Sequence, residues 1–349
     1  MAQTSFVKEA QFYEQRDGKK VQCQLCAHNC IIAENKTGIC GVRKNLDGKL
    51  YSLIYGKASS ISSDPVEKKP LYHFYPGSSV LSFGAVGCNL KCQYCQNWQI
   101  SQVNPDNYSM KTLGTADQIL SQIRRYTCSG VAFTYNEPTI WYEFAYDMAK
   151  IIHARNYYTI FVSNGYMNPE PLKKIAPHLD AMNIDLKAIT EEKYMKMSHA
   201  RMQPVLDTAK LAHELGIHIE ITTLVVPGFN DNVEDLRTMA KWIHDNLGSE
   251  TAYHLTRYHP DYHYNAPATS LKKLIEAFEI SKAEGLDYVY LGNIMKTDYE
   301  NTRCKNCSTP LVKRRTRFVE KLYSMKDDQV TCPKCSTVIP IVDRRRKIL

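Results

Sequence analysis

Three cysteines in the middle of the chain have the spacing of a metal-cluster loop. Cys88, Cys92 and Cys95 form a C-x3-C-x2-C run that follows Gly87 at the end of an apolar stretch. Three thiolates at this spacing can hold three corners of a cubane cluster and leave the fourth iron open. A structural zinc site would need a fourth protein ligand nearby, and residues 96–98 offer none. The run therefore predicts a [4Fe–4S] cluster whose open iron binds another molecule.

A second cysteine group lies near the end of the chain. Cys304, Cys307, Cys332 and Cys335 form two C-x2-C pairs separated by 24 residues, with short strand-like runs around them. This is a zinc-ribbon pattern, and tetrahedral zinc would stabilise a unit too small to bury a core of its own. A rubredoxin-like iron site has the same ligands and is the alternative.

A third group lies near the beginning of the chain. Cys23, Cys26, Cys30 and Cys40 supply four thiolates, and His28 lies among them as a substitute ligand. Zinc would suit a structural clamp, whereas a second iron–sulfur cluster would suit an electron relay. The spacing leaves both metals open.

Composition supports ligation for these thiols. The chain has 349 residues and 12 cysteines, of which only Cys128 lies outside the three groups, and we interpret it as a small core residue. No stretch approaches the ~18 apolar residues of a membrane helix, and the first ten residues lack signal-peptide order. We therefore expect a cytoplasmic protein without a membrane partner, and cytosolic cysteines seldom form disulfides.

Strand-like runs alternate with helical patterns from residue 80 onward, which predicts βα units and a parallel sheet. The expected fold is an α/β partial barrel of (β/α)6 type. It lies at residues 80–298, between an N-terminal cysteine-rich module at 1–79 and a small zinc-ribbon-like unit at 299–349. The strand runs are VLSFGAVG, VAFTYNEP, YTIFVSNG, AMNIDLK, HIEITTLVVPG, AYHLTRYHP and YVYLGN; the predicted helices are 115–126, 139–154, 169–176, 204–215, 233–246 and 270–284.

Each predicted strand ends in polar residues or in glycine. In a barrel the loops after the strands form one face, so recurring polar strand ends predict one shared ligand site. Singly, each could be a turn or a helix cap. These endings are Gly87-Cys88, Asn136-Glu137-Pro138, Ser163-Asn164-Gly165, Asp185-Leu186-Lys187, Pro227-Gly228, Tyr258-His259-Pro260 and Gly292-Asn293.

The central cysteine run on a strand-end loop resembles the motif of the radical SAM enzymes. The resemblance implies that the open iron binds S-adenosylmethionine, and that the cluster cleaves it with an electron from a reductant such as a ferredoxin or flavodoxin. It makes Cys88, Cys92 and Cys95 the catalytic cluster ligands. It also implies cofactor contacts from strand-end residues and from the aromatic residue before the third cysteine, namely Tyr94, Asn136, Glu137, Ser163, Asn164, Asp185, Lys187, His259 and Asn293.

Two of these elements are matched closely. Asp185 and Lys187 reproduce the Asp-x-Lys element of the pyruvate formate-lyase activating enzymes, and Glu137 resembles the acidic residue that accepts from the methionyl ammonium. Asn136 stands where the family has a glycine. Segments 64–101, 23–45 and the VPGFNDN element look like the radical SAM enzyme of the AmmeMemoRadiSam system, and this resemblance covers about residues 20 to 295.

Positive charge is concentrated in the last part of the chain. Residues 301–349 contain 13 basic and 4 acidic residues, whereas the whole chain carries +8. A basic ribbon is a candidate surface for nucleic acid or for an acidic protein.

The first hypothesis is a radical SAM oxidoreductase resembling the activating enzymes, which forms a 5′-deoxyadenosyl radical and abstracts hydrogen from a partner protein. One alternative is radical modification of RNA or of a small metabolite. A hypothesis of another class is a zinc-dependent nucleic-acid-binding module whose central cysteines are structural.

Overall fold

The computed structural model of the chain describes residues 7–294, 297–315 and 318–343. Small antiparallel sheets at both ends of the chain flank one large, mainly parallel sheet. Within the described ranges, no helix combines the length and the apolar composition that crossing a membrane requires.

The N-terminal part is built from short antiparallel strands. Strands β2, β3 and β4 form one sheet, and β1, β6 and β5 form another. The first sheet contains Cys23 at the end of β3, so it positions the beginning of the N-terminal cysteine group. The strands are β1 (Lys8–Glu9), β2 (Tyr13–Arg16), β3 (Lys20–Cys23), β4 (Ile31–Ile32), β5 (Arg43–Leu46), β6 (Lys49–Ser52) and β7 (Lys57–Ala58).

All seven predicted strand runs are strands of the large sheet. They are parallel to one another, and one further strand, β8, is antiparallel at the edge next to β9. β10 instead pairs with β7. The strands of this part are β8 (Ser60–Pro65), β9 (Ser79–Gly84), β10 (Lys111–Thr112), β11 (Gly130–Phe133), β12 (Tyr158–Ser163), β13 (Ala181–Asp185), β14 (His218–Val225), β15 (Tyr253–Arg257) and β16 (Val289–Gly292).

The sheet follows sequence order from β9 to β16, as successive right-handed crossovers would produce. It contains seven parallel strands, one more than a (β/α)6 pattern has. Its hydrogen-bonded order ends at β16 on one side and β8 on the other, and these two strands do not pair in the described ranges. The sheet is therefore open, and the barrel shape stays a prediction.

Helices connect the parallel strands, and the six predicted helices are all present. Two helices were not predicted, α1 and α5; α5 is short and polar, with Thr190 as its N-cap. The helices are α1 (Trp98–Ser101), α2 (Ala116–Arg125), α3 (Tyr142–His153), α4 (Pro169–Ile175), α5 (Glu191–Ser198), α6 (Gln203–Glu214), α7 (Val233–Leu247) and α8 (Leu271–Ala283). Single 3-10 turns span Val66–Lys68, Pro105–Asn107, Pro138–Trp141, Ala176–His178 and Asp298–Glu300.

Alternate strand residues pack into two different cores. Phe83 and Phe133 belong to the main core together with residues of the helices, whereas Val80 and Ala132 belong to a second, smaller cluster. Phe74 completes that second cluster. The aromatic segment before β9 therefore packs on the sheet face that the helices leave free.

The C-terminal part consists of two three-stranded sheets that carry the two cysteine knuckles. The knuckles have matching hydrogen bonds: Ser308 N donates to Cys304 O and Ser336 N to Cys332 O, both at 2.9 Å. The strands are β17 (Thr302–Arg303), β18 (Pro310–Arg315), β19 (Phe318–Lys321), β20 (Ser324–Lys326), β21 (Gln329–Thr331) and β22 (Val338–Ile339).

This C-terminal part packs on the segment before β9 through Arg314. The guanidinium donates to the carbonyl oxygen of Tyr72 at 2.6 Å and lies 4.0 Å from the centroid of the Tyr72 ring. Lys305, in the first knuckle, lies 2.8 Å from the carboxylate of Glu250, just before β15. The first knuckle therefore lies at the amino ends of the strands, opposite the strand-end loops.

The three-part division of the chain stays a prediction. Strand β8 lies inside the proposed module at 1–79 but pairs with β9 of the large sheet along its whole length. Arg314 likewise ties the proposed unit at 299–349 to the segment before β9.

Candidate active site

The central cysteine loop connects β9 to α1. Cys88 and Cys92 are buried and Cys95 is half-buried. The backbone N–H of Leu90 donates to Cys88 Sγ at 3.4 Å. Gly87 has φ 91°, and a Cβ there would lie 2.6 Å from the carbonyl oxygen of Cys40. Only glycine fits this turn, so the loop begins in direct backbone contact with the N-terminal module.

The last turn of helix α5 contacts the central cysteine loop. Lys91 N donates to Ser198 O and Gln93 N to Met197 O, both at 3.0 Å. The hydroxyl of Ser198 lies 3.4 Å from Cys92 Sγ. The last turn of α5 therefore fixes the backbone on both sides of Cys92. Sequence reasoning missed this support because α5 is polar and has a weak apolar pattern.

The strand ends converge on one cavity of about 490 Å³. It lies at the carboxyl ends of the parallel strands, where ligand sites of such sheets occur. Of the twelve residues expected at the site, nine line it: Cys88, Cys92, Tyr94, Cys95, Asn136, Asn164, Asp185, Lys187 and Asn293. Glu137, Ser163 and His259 do not.

Glu137 is fully buried behind the cavity wall. Its Oε1 accepts from Thr139 N and from Ser163 Oγ, and its Oε2 accepts from Asn164 N, each at 2.8 Å. Burial raises the pKa of this carboxyl group, and the three donors oppose that shift. Glu137 and Ser163 therefore fix the end of β12.

Two asparagines join the strand ends to the cysteine loop. Asn136 Nδ2 donates to Gly87 O at 2.8 Å, and its Oδ1 accepts from Ala85 N at 2.9 Å. Asn164 Nδ2 donates to Asn89 Oδ1 at 2.8 Å and lies 3.7 Å from Cys88 Sγ. A glycine at position 136 has no side chain and could not make the two hydrogen bonds of Asn136. Asn89 was not among the expected site residues.

Asp185 and Lys187 form an ion pair in the cavity, with 2.9 Å between Nζ and Oδ2. Burial alone would lower the pKa of Lys187, but the nearby Asp185 carboxylate and Cys92 hold it well above its usual value. Lys187 therefore carries its charge throughout the neutral range. Tyr94 is buried beside this pair, with its ring centroid 5.7 Å from that of Phe229.

A further charged cluster lies on another wall of the cavity. Lys69 Nζ and the hydroxyl of Tyr135 both lie 2.6 Å from Asp64 Oδ2, and Lys69 and Tyr135 line the cavity with Lys68. Tyr135 has φ 74°, which is strained for an aromatic residue. The hydrogen bond to Asp64 and the ammonium of Lys69, 4.6 Å from the centroid of the Tyr135 ring, hold it in this conformation.

The last two predicted residues lie at the rim. Asn293, at φ 58°, donates through Nδ2 to Arg257 O at 3.2 Å and lines the cavity. His259 is exposed outside it, and its Nδ1 lies 3.4 Å from Pro260 O. The role of each toward a cofactor stays a prediction.

Comparison with known proteins identifies the central domain. The model of the Radical SAM superfamily matches residues 84–243, which include the cysteine loop and the strand ends through β14. The chain belongs to the radical SAM superfamily. It is therefore an enzyme.

Individual relatives are similar to this radical SAM protein over different shares of its length. It is 42% identical to an uncharacterized protein of Methanocaldococcus jannaschii over 337 residues, which are 96% of this chain and 100% of that one. It is 27% identical to a pyruvate formate-lyase-activating enzyme of Clostridium pasteurianum, covering 50% of this chain and 72% of that one. A solved radical SAM methyltransferase of Sphaerobacter thermophilus aligns with a TM-score of 0.49 and 16% identity, covering 62% and 67% of the two chains.

Radical SAM membership implies a [4Fe–4S] cluster and S-adenosylmethionine, and the cavity fits both. Among the described residues that line it, no histidine and no fourth cysteine accompanies Cys88, Cys92 and Cys95. An iron without a protein ligand would therefore face the cavity. The cavity also offers an ammonium and a carboxylate, which complement the amino-acid end of S-adenosylmethionine.

The C-terminal cysteines of this radical SAM protein form a separate group of four sulfurs. The Sγ atoms of Cys304, Cys307, Cys332 and Cys335 all lie within 4.8 Å of one another. A hydrogen bond from Thr337 lowers the pKa of Cys335 to about 6, which favours the thiolate that a metal binds. The group suits one zinc or iron ion, and zinc stays a prediction.

Proposed function

We propose that Cys88, Cys92 and Cys95 hold a [4Fe–4S] cluster and that the cavity beside them binds S-adenosylmethionine for reductive cleavage. When bound, these two groups supply a one-electron cleavage that yields a 5′-deoxyadenosyl radical. One observation carries the proposal: three cysteines, with no fourth cysteine and no histidine among the described lining residues, share a cavity with an Asp–Lys pair and the polar ends of the parallel strands.

The chain's own residues would orient the cofactor. Lys187 is positioned to bind the methionyl carboxylate, while Asp185 and Asn164 offer acceptors and donors to the ribose and the ammonium. Tyr94 would pack against the adenine, and Asn293 would contact its edge. Glu137 and Ser163 act as positioning residues because they hold Asn164 in place. His259 would need to move inward to touch the cofactor.

An electron paramagnetic resonance experiment tests cofactor binding at the open iron. The anaerobically reconstituted protein is reduced with dithionite and measured with and without S-adenosylmethionine. The proposal expects the signal of the reduced cluster to shift when the cofactor binds, and expects no cofactor-dependent shift in Cys92→Ala. Cys128→Ala is the matched control, because Cys128 is buried outside the site. A signal that is identical with and without cofactor would contradict the proposal.

The substrate we propose is a partner protein, as in the activating enzymes, and the subfamily is that of the AmmeMemoRadiSam system. The relationship to pyruvate formate-lyase-activating enzymes supports a protein substrate. The sheet is open between β16 and β8, which leaves a lateral approach for a large molecule. The electron would come from a reductant such as a ferredoxin or flavodoxin.

Fractionated cell extract distinguishes the substrate classes. Extract from a cell that makes this protein is separated by size and added to the reduced enzyme. We expect the large-molecule fraction to stimulate formation of 5′-deoxyadenosine, and the stimulation to survive ribonuclease but not protease. Loss with ribonuclease would favour RNA modification, and stimulation by the small-molecule fraction would favour a metabolite. Either result overturns the protein substrate.

A further inference from the structure

The four N-terminal cysteines surround one small apolar pocket. Cys23, Cys26, Cys30 and Cys40 line it together with Leu25, Ile32, Ile140 and Arg43. Three of the thiols are buried and Cys30 is half-buried. The fold therefore brings Cys23 at the end of β3, Cys26 and Cys30 in the following loop, and Cys40 to one point, as a metal centre requires.

Backbone N–H groups approach three of these sulfurs. Backbone N–H groups of His28, Ile39 and Val42 donate to Cys26, Cys30 and Cys40, respectively. Hydrogen bonds of this kind stabilise metal-bound thiolates and tune the potential of a cluster.

Arg43 adds a buried positive charge to the same pocket. Its guanidinium pairs with Glu143 at 2.9 Å, but its Nε–H has no acceptor among the described residues. Burying a hydrogen-bond donor that has no acceptor lowers the stability of the folded protein. A cluster in the pocket would add sulfur acceptors and negative charge beside it.

The spacing of the sulfurs separates zinc from a cluster. Tetrahedral zinc with Zn–S of about 2.3 Å places its sulfurs about 3.8 Å apart. The ribbon cysteines are close to this, within 4.8 Å of one another, whereas no three of the N-terminal sulfurs in the described chain meet that limit. The central cysteines also fail to meet it. In a cubane each thiolate binds a different iron, so its sulfurs lie farther apart.

The N-terminal pocket adjoins the central loop. Nε2 of His28 lies 2.7 Å from the carbonyl oxygen of Asn89, the residue after Cys88. On the other side, a Cβ on Gly87 would lie 2.6 Å from the carbonyl oxygen of Cys40. The backbone of Cys40 and that of Gly87, the residue before Cys88, therefore lie close together.

The outer side of the pocket is open to a partner. Ile31 and Ile39, which flank Cys30 in the fold, are 66% and 47% exposed. Exposed isoleucines beside a half-buried cluster ligand would suit a small electron-transfer protein, since such encounters use limited, partly apolar surfaces.

We propose that Cys23, Cys26, Cys30 and Cys40 hold a second [4Fe–4S] cluster, which relays electrons from a low-potential one-electron donor to the cluster on Cys88, Cys92 and Cys95. The donor loses one electron, the second cluster gains it and passes it on, and one cleavage of S-adenosylmethionine consumes it. The presence of the second cluster is independent of the proposed function, whereas the relay rests on it.

Metal analysis of a variant without the central ligands tests the second cluster. The triple variant Cys88→Ala/Cys92→Ala/Cys95→Ala is purified anaerobically, and its iron, sulfide and zinc are measured. We expect about half the iron of the wild type, with about four irons and four sulfides per chain and one zinc in the ribbon. A colourless variant with two zinc ions would overturn the proposal. If the variant does not fold, Mössbauer spectroscopy counts the clusters in the wild type instead. Two [4Fe–4S] clusters per chain would support the proposal, and one would overturn it.

The relay is tested with the half-buried ligand. Cys30→Ala should slow cleavage at least tenfold with a reduced flavodoxin as donor, but by less than threefold with dithionite. Equal effects with both donors would overturn the relay. Two clusters in a wild-type protein that does not cleave S-adenosylmethionine would overturn the proposed function while supporting the second cluster.

Discussion

The ammonium of Lys187 lies 2.9 Å from the carboxylate of Asp185, and both side chains line the cavity beside the central cysteines. Both residues lie at the carboxyl end of β13: Asp185 is its last residue, and Lys187 follows two residues later. Strand geometry would place residues 185 and 187 on one face, so a two-residue spacing brings an anion and a cation to the same ligand. This pair can therefore bind the cofactor without touching the iron.

Lys187→Ala is predicted to separate cofactor binding from cluster assembly. The variant should retain the iron content of the wild type, because no cluster ligand changes. Its affinity for S-adenosylmethionine should fall about tenfold or more, since a charge-assisted hydrogen bond contributes about 1.5–3 kcal/mol. Equilibrium dialysis measures the affinity. Lys210→Ala, an exposed residue of α6, is the control. Unchanged affinity would remove Lys187 from the site.

Glu137→Gln is predicted to reduce activity more than stability. The amide oxygen can still accept from Thr139 N and Ser163 Oγ, but the NH2 group opposes the N–H of Asn164. Asn164 should then shift away from Asn89 and Cys88. We expect a loss of about 1–3 kcal/mol in the free energy of unfolding and a larger proportional loss of cleavage rate. Urea unfolding and product analysis measure both quantities. An active variant of normal stability would show that the carboxylate is dispensable; exposed Glu170→Gln is the control.

Arg314→Ala is predicted to loosen the C-terminal part. The guanidinium is buried and donates to Tyr72 O, Glu300 O and Thr302 Oγ1. Removing it leaves these acceptors unpaired, which should cost about 1–3 kcal/mol for each acceptor that stays buried. Limited proteolysis should release the C-terminal part, while exposed Arg315→Ala should behave as the wild type. Equal resistance of both variants to protease would refute this docking.

Stability should fall as the pH drops below 6.5, partly through His73. Burial lowers the pKa of His73 to about 3 from its usual 6.5. Between these values the unfolded chain binds a proton that the folded chain does not, so stability rises with pH in this window. The contribution is about 1.4 kcal/mol per pH unit.

The variant His73→Asn isolates this contribution. Wild type and variant are unfolded in urea at pH 7.5 and at pH 5, so that protons taken up by other groups cancel. The stability advantage of the wild type should shrink by about 2 kcal/mol between the two pH values. An advantage that does not change with pH would show that His73 does not titrate in this window.

The sequence predicted much of the fold because its signals are local. Seven apolar runs bounded by polar ends predicted the seven parallel strands, and nine of the expected site residues line one cavity. The contacts that were missed involve residues far apart in the chain. The polar pattern of α5 did not reveal that its end supports Cys92, and Asp64, 71 residues before Tyr135, holds that strained residue in the cavity wall. Burial of Glu137 behind the wall depends on the packing of two strands and could not be read from its position alone.

The most direct test of the account is the stoichiometry of cleavage in the anaerobically reconstituted enzyme. Wild-type protein is incubated with S-adenosylmethionine and dithionite, and 5′-deoxyadenosine and methionine are measured by chromatography. The account predicts equal amounts of the two products from the wild type and from Cys128→Ala, and none from Cys92→Ala. Full product formation by Cys92→Ala, or none from a wild-type protein that carries its cluster, would contradict it.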